Sequence, residues 1–290
     1  MEHQLWKEIL AEVTRLDKSR RRNENSYTDG EIVLTWFWAV LHDRPVSWAC
    51  QRANWPIHLR RRPIPSASRL SRRMSSESVQ LLLQQVEASV LAPQRLSLVW
   101  LVDGKPLPVS KVTKDRQAGP RQGAKGYKLH ALVDATGSVK AWRITPLGKD
   151  EKEMARRRVQ SAALQGYLVA DGNYDASELY DLCEEQGNLR LLTPLRASPG
   201  NRRRKRQSAG RQRSIQRQDG LRDQDKPFVI DLFRQRGDIE RYFGNLTSWG
   251  GGLTHLPPWV RTHRRVHRWV QAKLILNALR RRTQQRTYSA

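Results

Sequence analysis

The 290-residue chain has only two cysteines, Cys50 and Cys183, far apart and outside any CxxC pair. That excludes a disulfide framework and any zinc-ligand spacing, and both thiols read as reduced packing residues of a cytoplasmic protein. No stretch approaches the roughly 20 apolar residues of a membrane span. The opening MEHQLWKEIL does not have the form of a signal peptide. A membrane is therefore not an expected partner. No internal repeat is visible. Acidic residues are the scarce charged class: 28 Asp and Glu stand against 53 Lys and Arg, a formal net charge of +25.

A charge that large repels itself in a compact state until a polyanion neutralises it. Nucleic acid is the polyanion expected, because each phosphate contact releases counterions. Arginine runs stand at 60–62, at 202–206 (with Lys205 among them) and at 280–282. Residues 196–226 hold eleven Arg or Lys and three Asp with almost nothing apolar. Such a segment lacks the surface to fold alone and reads as a flexible basic loop, either tracking a DNA backbone or serving as a solvated linker.

Residues 1–95 read as helical. Leu5, Ile9, Val13 and Leu16 keep helix spacing, and Thr28-Asp29-Gly30-Glu31 is a capped start for the apolar run IVLTWFWAVL. After the broken, basic IHLRRRPIP, a helix opens with Ser66 or Ser68 as N-cap and carries Arg69, Arg72 and Arg73 in its first turns. Short helices around a proline-bearing turn suit a helix-turn-helix that reads DNA. A plain bundle with a solvated basic face fits the same residues.

From Leu96 the texture changes. Leu98–Val102 reads as a strand ending on Asp103, and YKLHALV and SVKAWRI flank the turn Asp134–Gly137 as a hairpin. A helix over about 150–164 leads to the strand Tyr167–Ala170, which runs into Asp171. A helix over about 176–186 then leads to the strand Leu189–Leu192. Three antiparallel strands followed by two parallel ones, with helices between, predict a mixed α/β sheet behind an N-terminal helical domain. A helix over about 228–246 turns Leu232, Ile239, Phe243 and Leu246 toward the sheet and carries Glu240, and a last basic helix runs over about 259–282. The domain boundaries expected are 1–95, 96–256 (interrupted by the basic loop 194–227) and 257–290.

Strand, acid, turn, helix is how an open α/β sheet delivers a carboxylate to its ligand-binding edge. Asp103 and Asp171 both fit that pattern, and Glu240 follows on a helix able to pack across the sheet. Gathered together, three carboxylates repel unless a cation sits between them. Magnesium or manganese suits all-oxygen ligands, and two such ions about 4 Å apart serve phosphodiester chemistry. Taken singly, each Asp also reads as a turn-former, and Arg236 with Glu240 reads as an exposed i, i+4 pair. Gly237 between them weakens the helix by roughly 1 kcal/mol, a hint of close approach to backbone or DNA. Asp175 reads as an N-cap and Asp134 as a turn residue. His130 and Lys128 share one face of a strand; His130 reads as structural, with a catalytic role as the lesser alternative, and Lys128 as a DNA contact. Trp249 and Trp259 read as core residues or as stacking platforms for unpaired bases.

The segments LVDGKPLPV around Asp103, GYKLHALVDATGSVKAW, LVADGNYDA around Asp171, and RQRGDIERYFGNL followed by GGGLTHLPPWVR resemble the DDE transposases of bacterial insertion sequences, groups four and five. That resemblance spans most of the chain and implies a ribonuclease-H-like catalytic fold, with Asp103, Asp171 and Glu240 as the metal-binding triad for Mg2+ or Mn2+, two ions in all. It also implies Arg236 as a DNA contact, IPSASRLSRRM as part of an end-binding element, and binding of transposon ends and target DNA by at least a dimer. The chain departs from the family's signature at Phe233, where a Tyr is expected, and at Thr247, where a Lys is expected. The activity implied is metal-dependent cleavage at transposon ends and strand transfer. A nuclease without strand transfer and a DNA-binding protein or repressor without chemistry stand as alternatives.

Overall fold

The computed structural model describes residues 2–19, 26–92, 97–110, 113–162, 164–194, 207–223, 226–248, 253 and 256–288. Trp249, the run 202–206 and the side chain of Thr247 lie outside the described residues. Contacts divide the chain into two units, one of residues 1–92, 246–260 and 264–290, the other of residues 93–245 and 261–263. The last helix thus groups with the N-terminal helices, whereas the sequence reading set 257–290 apart.

In the helical unit, α1 (Glu2–Leu16) buries Leu5, Trp6, Ile9 and Val13, the face its spacing predicts. α2 (Asp29–Leu41) opens on a reciprocal capping box: Thr28 Oγ1 accepts from the Glu31 N–H at 3.1 Å, and the Glu31 carboxylate accepts from the Thr28 N–H at 2.9 Å. α2 is buried nearly all round, as an all-apolar helix must be. After α3 (Val46–Ala49) and two single 3-10 turns come α4 (Ala67–Arg73), capped by Ser66, and α5 (Glu77–Leu91). From Arg264 onward the last helix belongs here: Trp269 meets Trp36 edge-on with ring centroids 5.9 Å apart, and Lys273 Nζ lies 2.5 Å from Asp43.

The sheet unit carries six strands: β1 (Val99–Pro108), β2 (Gly119–Arg121), β3 (Ala124–Asp134), β4 (Val139–Pro146), β5 (Gly166–Val169) and β6 (Leu189–Leu192). β3 pairs antiparallel with β1, β2 and β4, while β1–β5 and β5–β6 are parallel. This is the mixed sheet expected, with β2 added between β1 and β3. Gln122 and Gly123, both at positive φ, close β2 onto β3 in a two-residue turn of the kind hairpins favour.

β1 also runs further than its sequence suggested. Asp103 is not at its end; the strand continues through Gly104-Lys105-Pro106-Leu107-Pro108, paired to β3 throughout. Prolines survive there for a positional reason. Even-numbered residues of β1 face β5, as the Tyr167 N–H bond to the Leu98 carbonyl shows, but β5 pairs only as far as Leu101. Pro106 and Pro108 therefore sit with their missing N–H toward an unpaired edge.

α6 (Glu151–Ser161) and α7 (Ser177–Glu185) cover one face, where Trp100, Val102, Leu132, Val159, Leu168, Tyr174 and Leu179 form a core. The basic segment 196–226 is not loop throughout: Ala209–Asp223 forms helix α8. Its sequence has no apolar stripe, and polar tethers hold it instead. Arg211 makes a bidentate pair with Asp175 at 2.8 and 2.9 Å, and Ser214 donates to the Leu191 carbonyl at 2.9 Å. Asp175 is thereby taken up by Arg211 rather than capping α7, whose N-cap is Ala176. α9 (Lys226–Ser248) follows, and α10 (His263–Tyr288) ends the chain.

Candidate functional site

Strand register brings the two aspartates together. Leu101 of β1 pairs with Val169 of β5, and two residues beyond each partner stand Asp103 and Asp171. Side chains alternate along a strand, so both aspartates project from the face opposite Trp100, Val102, Leu168 and Ala170. Asp171 leaves β5 and at once caps a 3-10 turn, Gly172–Tyr174, accepting from the Asn173 backbone N–H at 2.8 Å and side-chain amide at 3.0 Å. Asp103 accepts from the Gly104 N–H at 2.7 Å. That N–H is one that β1 points at the unpaired edge.

α9 lies over the same face. Phe228 near its start packs edge-on against Tyr167, which shares parity with Val169 and Asp171, at 5.5 Å between ring centroids. From Phe228 to Glu240 the helix rises about 18 Å, while β5 and its extension advance about 13 Å from Tyr167 to Asp171. The helix is thus long enough to carry Glu240 to the level of the aspartates. Glu240 is close enough to act on Asp103: burial first, and then the charges of Asp171, Glu151 and Glu240, push the Asp103 carboxyl up to about 6 against the counteracting Gly104 N–H bond. Its own side chain is 66% exposed and turned to Arg236, 3.4 Å away. A Cβ built on Gly237 meets open space, so that glycine marks no close approach among the described residues.

The donor set, all carboxylate oxygen, is what Mg2+ or Mn2+ takes. The arrangement is not closed: among the described residues no group of three or more His, Cys, Asp or Glu is gathered tightly enough to hold a metal ion. By donor chemistry alone, carboxylates of this kind fit a hard divalent cation; Glu240 here is bonded to Arg236.

Two further residues near Asp103 went unread in the sequence, and both lie on the α6 side of the sheet. Glu151, the first residue of α6, takes the Lys128 ammonium at 2.5 Å and lies 3.7 Å from Arg121. Lys128 is only 1% exposed, so the structure sets it as a buried counter-ion rather than the phosphate contact expected of it. A Cβ on Gly104 would lie 2.9 Å from Lys128 Cδ and 3.1 Å from Glu151 Oε1, which places this pair one residue from Asp103. Tyr174 is fully buried, and its hydroxyl has no hydrogen-bond partner among the described residues. Burial, and then the nearby charges of Asp103, Glu151, Asp171 and Asp150, hold the phenol well above its ordinary range, so it remains an O–H donor.

The other residues singled out fall elsewhere. His130 is buried, with Nε2 2.8 Å from Thr145 Oγ1, and burial followed by Lys128 and Arg158 pushes it down to about 4. A neutral histidine bonded to a threonine is the structural reading. Asp134 is a turn residue, accepting from Thr136 Oγ1 and the Ser138 N–H. In the helical unit, Arg73 pairs with Asp29, and Arg69 lies over the Tyr27 ring at 5.4 Å with its side chain at the surface. Arg72 is exposed. Trp259 is half-buried, its indole N–H buried. No helix among the described residues is long and apolar enough to cross a membrane.

The family model described as "Transposase DDE domain" matches residues 95–278. The cryo-EM structure of a piggyBac transposase synaptic complex with hairpin DNA resembles the fold with a TM-score of 0.54 at 11% identity, covering 96% of this chain and 71% of that one. No curated protein matches.

Proposed function

Because the chain belongs to the transposase DDE domain family, we propose that it binds the terminal repeats of a mobile element, cuts DNA at their ends and joins the freed 3′-hydroxyls to target DNA. The observation that supports a chemical step is the placement of Asp103 and Asp171 two residues beyond the Leu101–Val169 pair on adjacent parallel strands. Asp103, Asp171 and Glu240 are the residues that would hold Mg2+ or Mn2+, with Glu240 exchanging its bond to Arg236 for the site. Such ions, when bound, make an attacking oxygen more nucleophilic and offset charge on the leaving oxygen.

The chain's own residues set the rest. The Gly104 N–H holds one oxygen of Asp103, leaving the other directed to the site. Arg236, released by Glu240, becomes a charged donor for a DNA phosphate. Arg69 and Arg72 of α4 meet backbone phosphates and position the duplex without reading bases. In the first step water attacks the phosphorus and the P–O3′ bond breaks, leaving a 3′-hydroxyl and a 5′-phosphate. In the second, that 3′-hydroxyl attacks a target phosphodiester and displaces a target 3′-oxygen. Acting on two ends at once calls for at least two copies of the chain on DNA.

Asp171→Asn tests the reading: end cleavage in Mg2+ is lost while end binding persists. Undiminished cleavage by that variant rejects it. A binding protein without chemistry is the second reading, favoured by the outward Glu240 and by Phe233 in the position of the family's tyrosine. Cleavage that appears with Mg2+ and stops with a chelator decides against it.

A further inference from the structure

Among the described residues Ile57 is the most exposed large apolar side chain, at 80%. It stands on a 3-10 turn, Ile57–Leu59, directly after Pro56. The chain beneath it is tied down closely. The Leu59 N–H bonds the Pro56 carbonyl at 2.8 Å, and the Arg60 N–H bonds the Ile57 carbonyl at 3.2 Å. Trp55, two residues earlier, is buried; its ring stacks on Trp38 at 4.8 Å between centroids, and its indole N–H donates to the Ala49 carbonyl at 2.7 Å. Two guanidinium groups brace the same turn from outside. Arg60 Nε donates to the Trp55 carbonyl at 2.9 Å, and Arg52 donates to the Arg60 carbonyl. A single exposed isoleucine is ordinary on a protein surface. One held out on a braced turn, with arginines around its base, is a built projection.

The charge around the projection selects its partner. Residues 44–76 contain eight arginines and no Asp or Glu. Arg52, Arg60 and Arg61 are exposed, and none pairs with a carboxylate among the described residues. Such a collar repels a second copy of this chain, itself at +25, and draws a polyanion. We propose that Ile57 is a wedge that enters the minor groove of duplex DNA and parts two stacked base pairs, while Arg52, Arg60 and Arg61 lie against the flanking phosphates. The inference rests on the reading of the helical unit as a DNA-binding element and adds how that element deforms its duplex. An aliphatic side chain inserted at one base step kinks the duplex toward the major groove. Burial of the isoleucine offsets part of the lost stacking. The braced turn matters because a loose loop would yield before the bases part.

The test is a short duplex with TA steps, which part most readily, carrying dyes at both ends for energy transfer and a fluorescent aminopurine at one step. It is bound by the full chain, by Ile57→Ser and by Ile57→Leu. A side chain this exposed carries little of the fold, so all three should share one unfolding midpoint. The unaltered chain should bend the duplex by about 20° or more and raise the aminopurine emission. Ile57→Ser should lose both signals and bind about tenfold more weakly. Its affinity should keep the same dependence on salt, because no phosphate contact is lost. Ile57→Leu should retain both signals. Equal bending by Ile57→Ser, or a duplex left straight by an unaltered chain that binds it, overturns the proposal while leaving DNA binding by the chain standing. A change in self-association on Ile57→Ser, with the duplex straight, overturns it in favour of a second copy. Failure of the unaltered chain to bind the duplex overturns the DNA-binding reading and the proposal together.

Discussion

Lys128 and Glu151 close on each other beside Asp103, ammonium nitrogen to carboxylate oxygen at 2.5 Å, in a space that exists because residue 104 has no Cβ. The pair joins β3 to the start of α6 beside Gly104, the residue after Asp103. Gly104→Ala tests how tightly this corner is built. The added methyl meets Lys128 Cδ at 2.9 Å and Glu151 Oε1 at 3.1 Å, and both atoms are held by their mutual bond. The expected outcome is a loss of about 1–3 kcal/mol in denaturant unfolding and a fall in end cleavage. Wild-type stability in this variant would mean that the corner yields freely.

Lysine and arginine on this chain should separate by function. Lys128→Met leaves the Glu151 carboxylate without its main partner and should cost about 3 kcal/mol, the low end for a broken buried pair because Arg121 remains nearby. Per mole of folded protein, its DNA binding should keep the same salt dependence. Arg72→Gln should do the reverse: stability changes by under about 0.5 kcal/mol, and the slope of log affinity against log salt falls by about one phosphate contact. Binding isotherms over a salt series check both.

The Arg211–Asp175 pair should hold α8 in place. Their side chains are 9% and 1% exposed and the bond is bidentate. Arg211→Met should cost about 3–5 kcal/mol by stranding the Asp175 charge. Hydrogen exchange across 209–223 should accelerate before the rest of the sheet unit opens.

His130 gives the stability a pH dependence of known sign. Its folded value, about 4, lies below the ordinary 6.5. The unfolded chain therefore binds a proton in a window where the folded chain does not. Stability present above pH 6.5 is lost as pH falls toward 4. From pH 7 to pH 5 the contribution is on the order of 2 kcal/mol. Unfolding free energies of the wild type and His130→Gln at both pH values isolate it; equal differences at the two would contradict the assignment.

The sheet, its strand directions and the neighbourhood of Asp171 were legible because strand-acid-turn-helix is written in adjacent residues. The far half of β1 was not, since Pro106 and Pro108 argue against a strand until the unpaired edge they face is known. α8 escaped because a helix held by Asp175, Asp181 and the Leu191 carbonyl needs no apolar stripe of its own. Lys128 alternates like a surface residue, and only the packing of α6 on β3 turns it into a buried partner. Glu151 and Tyr174 carry no local signal; what distinguishes them is a position near Asp103 that only the folded chain supplies.

The most direct measurement is a crystal structure of the chain grown with Mn2+ and an end duplex, with anomalous scattering recorded at the manganese edge. The account predicts a peak between the carboxylates of Asp103 and Asp171, with Glu240 turned in to share it and Arg236 on a phosphate. No peak at the aspartates, with Glu240 still bonded to Arg236 on DNA, would contradict it.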